Sequence, residues 1–576
     1  MLPPVLFLIL GALSLLCYGA YKQCLPRPIP GIPYNEEATK SILGDLPALI
    51  KYTRETGEKM SWLPLQAQKL NSPIIQIFAR PLAKPWIIIS DFRESQDILI
   101  RRTKDFDRSD RFGDIFRGLT PEHHVTMKSA DPRFKIHRKL VQDLMTPAFL
   151  NEVSAPRIYS AFTSLLELWT QKARLAEGRP FSAAEDFYHA ALDAIWAVTF
   201  PLDMKNSAIN AQLQHLLCMA SVVNPPAGGK DEPVAFPEAP VPPAQKSILT
   251  LTESIEMMVM SPAPKLLFRF LKMLPYMRKA NSIKEGMITS ELAKAVIKHK
   301  EGQDEEKVAG CAMDYILYRE LSAAKKDNRE PILNTRAIYD ELFGLLVAGH
   351  DTTSTTVVWG LKLLTDHPEV QKKLRDAVRS NFAPAVSENR RPTAQEIAKA
   401  SIPYLDATRE EIIRKSMTAA GITRTALRDT VIFGHHIPKG TTVFLMGNGP
   451  DYVLPPVGRI AEERRSESCR GAKARIGSWD VTDSHLFKPE RWLGMEDGRE
   501  IFNPTAGPLL TFGLGPRGCF GRRMAYLEMN IMLVLLVWEF KLQNMPEDLS
   551  SYHAADKLTH QPRQCYLRLE KLENSI

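Results

Sequence analysis

The sequence predicts a mainly α-helical chain with small β-sheets, and three observations carry that expectation. Apolar residues recur at helical spacing over 134–154, 157–175, 184–200, 336–364, 368–380, 405–417 and 522–540. Only short β-branched runs bounded by turn residues offer strands. Of the 576 residues, 44% are apolar and 24% charged, a balance that can bury a large core and excludes wholesale disorder. No internal repeat divides the chain. The net charge of +8 is spread along the sequence rather than gathered into a basic block, which argues against nucleic acid as a partner. Seven cysteines, odd in number and without a CxxC pair, suit a reducing compartment.

The elements follow in order. Leu2 to Tyr21 (LPPVLFLILGALSLLCYGAY) carries no charge, and at about 1.5 Å per helical residue it matches the hydrocarbon thickness of a bilayer. No Lys or Arg precedes this run, and it is longer than the apolar part of a usual signal peptide, so residues 1–22 are expected to be an uncleaved transmembrane anchor. Lys22 and Arg27 then place the bulk of the chain on the cytoplasmic side. Residues 23–35 contain PRPIPGIP, whose alternating prolines exclude helix and predict an extended hinge before the body of the chain at 36–576. Ile74–Phe78 and Trp86–Ile89 predict a hairpin. A second strand pair is expected from Thr430–Phe433 and Thr441–Met446 around the Gly and Pro residues of 434–440. Residues 223–245 read as a long surface loop. Ala263–Tyr276, with Lys and Arg as its only charges, suits either a face resting on a membrane or an ordinary core helix.

The sharpest local signal is FGLGPRGCFG, residues 512–521, followed by an apolar helical run. Its glycines and proline describe a tight loop that sets one sulfur, Cys519, just before a helix N-terminus. Positive potential there, with Arg517 and Arg522 close in sequence, is expected to favour thiolate over thiol. An inert buried cysteine is the competing reading, and a cysteine nucleophile would need a base that no local signature supplies. The run resembles the haem-binding signature FxxGxRxCxG of the cytochrome P-450 haem-thiolate monooxygenases, matched at Phe512, Gly515, Arg517, Cys519 and Gly521. The resemblance implies the fold of that family and haem b (iron protoporphyrin IX), with Cys519 as axial cysteinate and metal ligand. It also implies Phe512 packed beside the sulfur and Arg517 on a propionate.

Between Glu341 and Leu364 an apolar helix is interrupted by His350, Asp351 and five hydroxyl residues, Thr352 to Thr356. Such residues are poor helix formers and can bond back to the carbonyl one turn earlier, bending the axis. A polar patch at a kink would explain this equally well. Ala348–Thr353 also matches the family's (A/G)Gx(D/E)T(T/S), which implies that Gly349 leaves room over the haem and that Asp351 and Thr352 relay protons as the catalytic acid–alcohol pair.

Glu411 and Arg414, at i and i+3, would contribute only roughly 0.2–0.5 kcal/mol if exposed. The segment FKPERW (487–492) resembles the family's PERF element, which implies that Arg491 joins them in a buried network serving folding and haem retention. Phe134 to Leu140 resembles the WxxxR helix with Phe134 in place of Trp, implying a propionate contact from Arg138. Arg424, ahead of the turn at 434–440, is similar to the family's strand arginine and implies another. The stretch 450–480 is unusually long and charged for the family.

No Gly-rich dinucleotide fingerprint or flavin domain is present, so the resemblance implies an NADPH-dependent flavin reductase, with cytochrome b5 as a further donor. Lys139, Arg517, Arg522 and Arg523 are candidates for its docking surface. The expected activity is oxidation of an apolar small molecule with dioxygen at the endoplasmic reticulum membrane. The similarity to fungal secondary-metabolism members suggests a terpenoid or polyketide intermediate. The alternatives are a haem-thiolate isomerase or dehydratase that needs no reductase, against which Asp351–Thr352 argues, and a non-enzymatic haem protein.

Overall fold

Period-two alternation builds the sheet of the first of two units into which the chain divides. The computed structural model describes residues 4–201, 206–219, 228–300 and 310–572. One unit comprises Met1–Ser109, Ala419–His485 and Pro508–Arg517, and the other Asp110–Thr418, Leu486–Gly507 and Gly518–Ile576.

In the first unit, β1 (Ile74–Ile77), β2 (Trp86–Ile89), β3 (Phe106–Arg108), β4 (Gly421–Ala426) and β5 (Thr442–Met446) form one sheet in the order β1-β2-β5-β4-β3. Both faces are covered. Ile74, Ile87, Ile89, Val443 and Leu445 pack on one side with Ile29, Ile32 and Leu99, while Ile75, Ile77, Ile88, Phe444 and Met446 pack on the other with Trp62 and Leu63. The predicted β1–β2 hairpin is present, pairing Ile74 with Ile89. The second predicted pair is not: Thr430–Ile432 pairs with His435–Ile437, and β5 lies between β2, to which it is parallel, and β4. Phe433 (φ 50°) and Gly434 (φ 78°) close a two-residue turn earlier than expected, which frees β5 to enter the sheet.

The proline-rich segment is free of helix from Leu25 onward and turns at Pro30–Gly31, where the Ile32 N–H meets the Ile29 carbonyl (3.5 Å), and it is pinned by a fully buried polar side chain. Gln76 on β1 accepts from Ile29 N–H (2.8 Å) and donates to the carbonyls of Ile29 (2.9 Å) and Ile32 (2.8 Å). Helix α1 spans Pro4–Cys24, but the expected membrane crossing is not supported: among the described residues no helix is long and apolar enough to span. Residues 1–3 of the expected run lie outside the described residues.

In the second unit, α2 (Pro132–Leu140) ends before Pro147, so the helix expected over 134–154 is broken and resumes through a wide turn at Phe149–Ser154 into α3 (Ala155–Ala176). α4 (Ala184–Thr199) is locked to α3 where Asp186 accepts from Trp169 Nε1 (3.0 Å) and Lys172 Nζ (2.7 Å). Next come α5 (Pro243–Met260) and α6 (Pro264–Leu271). The described part of the expected surface loop, from Gly228 to α5, is irregular, and residues 220–227 lie outside the described residues. The stretch 263–276 is no core helix, since Leu266 is 68% and Phe270 57% exposed. The central helix α7 (Arg336–Asp366) runs unbroken for 31 residues, about 46 Å, and buries most of its length against α4 and α8 (Pro403–Ser416). α9 (Arg522–Glu539) follows the cysteine loop, and a hairpin of β6 (Ala554–Asp556) and β7 (His560–Pro562) closes the tail.

Candidate active site

The cysteine loop is shaped by close backbone approach. Gly513 and Gly515 both have positive φ (64° and 67°), and a Cβ on Gly515 would collide with the Leu99 carbonyl, so only glycine fits there. Arg517 ends the single 3₁₀ turn Gly515–Arg517. In the same unit, Arg424 on β4 is buried and donates to the Thr423 carbonyl (3.0 Å). Burial first, and then the charge of Arg517, push its pKa down to about 10, with Asp107 opposing. Arg424 and half-buried Arg517 thus set two like charges near one another, with Asp107 as an anion beside them.

In the second unit, Cys519 is reached by solvent, but the atoms crowding it raise the thiol above its ordinary value. The backbone N–H groups of Gly521 and Arg522 and the charges of Arg138 and Arg522 oppose that rise. The expected bias toward thiolate is thus present and outweighed, and it comes from the Gly521 N–H, from Arg138 and from the expected Arg522. Arg138 stacks its guanidinium over Phe520, 4.7 Å from the ring centroid. Burial lowers its pKa, with Cys519 and Glu341 resisting. Phe134 lies on the same helix, its ring 6.3 Å from that of His124.

On α7 the hydroxyl residues behave as their chemistry dictates without breaking the helix. Thr352 Oγ1 donates to the Ala348 carbonyl (2.7 Å) and Thr356 Oγ1 to that of Thr352 (2.9 Å), while His350 Nδ1 is 2.8 Å from the Leu346 carbonyl oxygen. Thr352 is exposed and its neighbour Asp351 buried, because successive helical residues point about 100° apart. A Cβ on Gly349 would come within 2.5 Å of Ile195 Cγ1, so the missing side chain is occupied by α4 packing. Asp351 accepts from Thr559 Oγ1 (2.9 Å) and Gln561 Nε2 (3.0 Å), both from the tail hairpin. Burial raises its pKa, and His350, Thr559, Lys557 and Gln561 pull it back.

The charge lock is present and buried. Glu411 accepts from Arg414 Nε (2.8 Å) and Nη2 (2.6 Å), Arg491 Nε (3.1 Å), the Lys488 N–H (2.9 Å) and Trp492 Nε1 (2.9 Å). Burial alone would raise its pKa, but the hydrogen bonds and charge of Arg414, aided by Arg491, hold it below the ordinary carboxylate value. The Leu486 carbonyl takes a further bond from Arg414 Nη2 (2.8 Å).

A cluster that sequence reasoning missed surrounds buried Glu341. Its carboxylate accepts from the His124 N–H (2.8 Å), with His124 Nδ1 at 2.7 Å and His123 Nε2 at 3.4 Å. His123, His124 and Glu341 could present ligand atoms within 4.8 Å of one another. However, Val125 N–H bonds His123 Nδ1 (3.1 Å), which leaves the proton of a neutral ring on Nε2 and makes this a hydrogen-bonded set. Gly344 has no room for a Cβ because the His123 ring is there. The paired histidines before α2 were the one sequence signal.

In the second unit, a sulfur beside the N–H groups of Gly521 and Arg522 and the cations of Arg138 and Arg522 is a donor that fits a haem iron. The family model for Cytochrome P450 matches residues 46–449 and 482–567, leaving out the charged stretch between them. The chain is 38% identical over 588 residues to cytochrome P450 monooxygenase TRI13 of Fusarium sporotrichioides, with 99% of both chains covered. It is 38% identical to cytochrome P450 monooxygenase GME11363 of Pestalotiopsis microspora, covering 98% of this chain and 97% of the other. It is 35% identical to the monooxygenase xilC of Penicillium rubens, covering 98% and 96%. The solved structure of the cytochrome P450DA heme domain shares the fold, with a TM-score of 0.66 at 19% identity over 96% of this chain and 99% of that one. Sequence over the whole length and fold agree: the chain belongs to the cytochrome P450 family and is a monooxygenase that carries haem b on an axial cysteinate.

Proposed function

We propose that Cys519 is the axial ligand, that Arg424, Arg517 and Arg138 hold the propionates with Phe512 packed by the sulfur, and that the catalytic body, 36–576, oxidises an apolar small molecule with dioxygen. When bound, the haem supplies dioxygen activation and O–O cleavage, favoured by electron density from the thiolate. The observation that carries this reading is that one unit holds both Cys519, beside the N–H groups of Gly521 and Arg522, and the exposed Thr352 next to buried Asp351. Thr352 presents a hydroxyl, and Asp351 holds or releases a proton one residue away. Gly349 sets the approach of α7 to Ile195 on α4. Glu411, Arg414 and Arg491 keep the segment before the cysteine loop in place.

Electrons come in this reading from an NADPH-dependent flavin reductase, with cytochrome b5 as a second donor. Exposed Lys139 and Arg523, with Arg522 and Arg517, supply cations for an acidic partner face. The exposed apolar side chains of Leu266, Phe270, Met273 and Tyr276 support contact with a membrane surface on the cytoplasmic side of the endoplasmic reticulum. The substrate in this reading is a terpenoid or polyketide intermediate of secondary metabolism, and the relatives named above are fungal. Two experiments test the reading. The reduced haem protein should shift its absorption on adding carbon monoxide, and Cys519→Ser should lose that thiolate-dependent band; an unchanged spectrum refutes the ligand assignment. Metabolite profiles of the host with and without the chain should show one accumulating apolar precursor, and identical profiles refute the oxidative role.

A further inference from the structure

Four side chains of the second unit lie end to end. Tyr188 Oη on α4 is 2.7 Å from Thr355 Oγ1 on α7, which is 2.8 Å from Thr559 Oγ1 at the start of β7, which is 2.9 Å from Asp351 Oδ2. Each hydroxyl has one hydrogen to give. An ionised carboxylate can only accept, so Thr559 spends its hydrogen on Asp351 and must accept from Thr355. Thr355 must in turn accept from Tyr188. Fixing one end therefore orients every bond in the row toward Asp351. Thr355 and Thr559 are buried, whereas Tyr188 is only partly so. Gln561 Nε2 holds the second oxygen, Oδ1, from the next strand position but one.

We propose that Tyr188, Thr355 and Thr559 form a proton-conducting chain from the partly exposed Tyr188 on α4 to Asp351, with Thr559 and Gln561 as positioning residues for that carboxylate; this rests on the assignment of Asp351 to the acid–alcohol pair. One passage balances as follows. Tyr188 oxygen takes a proton from water and gives its own to Thr355, Thr355 gives its own to Thr559, and Thr559 gives its own to Asp351. Three O–H bonds break, four form, and the fourth replaces one broken in the solvent. Asp351 becomes neutral, and rotation of the hydroxyls resets the row after it releases its proton.

The charged and titratable groups facing Asp351 are His350 on α7, Lys557 in the hairpin, Glu256 on α5 and Tyr188 on α4. Glu256 is pushed by burial up to about 7, which puts a group able to exchange protons near neutrality beside the row. Burial, then Asp351, makes the Tyr188 phenolate unfavourable, so Tyr188 passes protons on and does not store charge.

The test uses the haem-loaded full chain. The infrared carboxyl band of Asp351, identified by its loss in Asp351→Asn, is titrated with pH. Thr559→Val should raise the midpoint by about one pH unit, because a hydrogen bond to the charged form is lost, and Thr559→Ser should restore it. Gln561→Leu should raise the midpoint in the same direction; it also removes the longer bond from Gln561 Nε2 to Thr559 Oγ1 (3.4 Å) and leaves the three hydroxyls of the row in place. Tyr188→Phe and Thr355→Val should leave Asp351 titratable but raise the share of reductase electrons released as peroxide, on the order of tenfold, with a changed solvent deuterium effect. Unshifted midpoints in both Thr559→Val and Gln561→Leu, or a wild-type peroxide share and isotope effect in both Tyr188→Phe and Thr355→Val, overturn the proposal. If the wild-type chain consumes no oxygen with reductase, the monooxygenase reading of the site fails, and the infrared midpoints still decide whether Thr559 and Gln561 govern Asp351.

Discussion

Replacing Glu411 by Gln keeps the volume of the side chain and removes its charge from between two buried guanidiniums. Glu411 is 0% and Arg414 2% exposed, and the Arg491 side chain is nearly as buried, so water cannot take over the lost partner. The Gln carboxamide keeps one oxygen to accept but turns its NH2 toward donors in place of the other, so Arg414 loses one of its two contacts at 2.6 and 2.8 Å, and both Arg414 and Arg491 lose the opposing charge. A cation stranded in this way costs about 3–5 kcal/mol, a large part of a net stability of roughly 5–15 kcal/mol. The apparent Tm of the haem-loaded chain should fall by about 2–4 °C, with haem lost at lower denaturant than in the wild type. The pH dependence has a definite sign. The folded pKa of Glu411 lies below its ordinary 4.5, so its stabilisation is fully present above the unfolded value and is lost as pH falls through the folded one. The wild type should therefore lose stability in acid below that range, and the Gln variant should lose less there. A loss under about 1 kcal/mol, the worth of an exposed pair, would refute the buried-lock argument.

Three further outcomes follow from particular contacts. Gly515→Ala places a Cβ against the Leu99 carbonyl at a φ of 67°, so the variant should bind haem poorly while far-ultraviolet dichroism is retained; normal haem content would show the loop to be more tolerant than its geometry. Gln76→Leu leaves the N–H of Ile29 and the carbonyls of Ile29 and Ile32 without that partner, which should cost about 1–3 kcal/mol for each group left unsatisfied, measured by denaturant unfolding. An unchanged midpoint would mean that the backbone of 29–33 finds other donors. Thr352→Ala keeps the helix and removes the exposed hydroxyl, so product should fall and uncoupled peroxide rise; equal product and peroxide would remove Thr352 from the reaction.

What the sequence made legible were features whose chemistry is local. The glycines, proline and cysteine of 512–521 sit within ten residues, and Glu411 with Arg414 is one helical turn. The hairpin of Ile74–Ile77 with Trp86–Ile89 needs only a short turn. Other features depended on contacts that no local pattern encodes. Phe433 adopts a positive φ without being glycine, so the early turn before His435 carried no glycine-pair or Asn-Gly signal. Pro147 broke a helix that apolar spacing alone would continue. The stretch 450–480 stood out by charge, and the structure shows where that charge goes. Glu462 accepts from Arg93 Nη1 (2.7 Å), Arg465 Nη2 meets Asp91 (2.6 Å), and the Ser466 and Ser468 hydroxyls meet Asp97.

The acid–alcohol motif names Asp351, but a carboxylate's behaviour is set by what surrounds it. Burial alone raises the pKa of Asp351 and favours the neutral acid, which keeps acceptor oxygens but can take up no further proton. The donors that favour its charged form, Thr559 and Gln561, lie 208 and 210 residues further along the chain. They reach Asp351 because β6 and β7 fold back beside α7, where Trp359 Nε1 also binds the His560 carbonyl (2.7 Å) and fixes the register of that strand. The motif supplies the reacting group, the tail hairpin supplies its protonation state, and a change in either is a change in the same equilibrium.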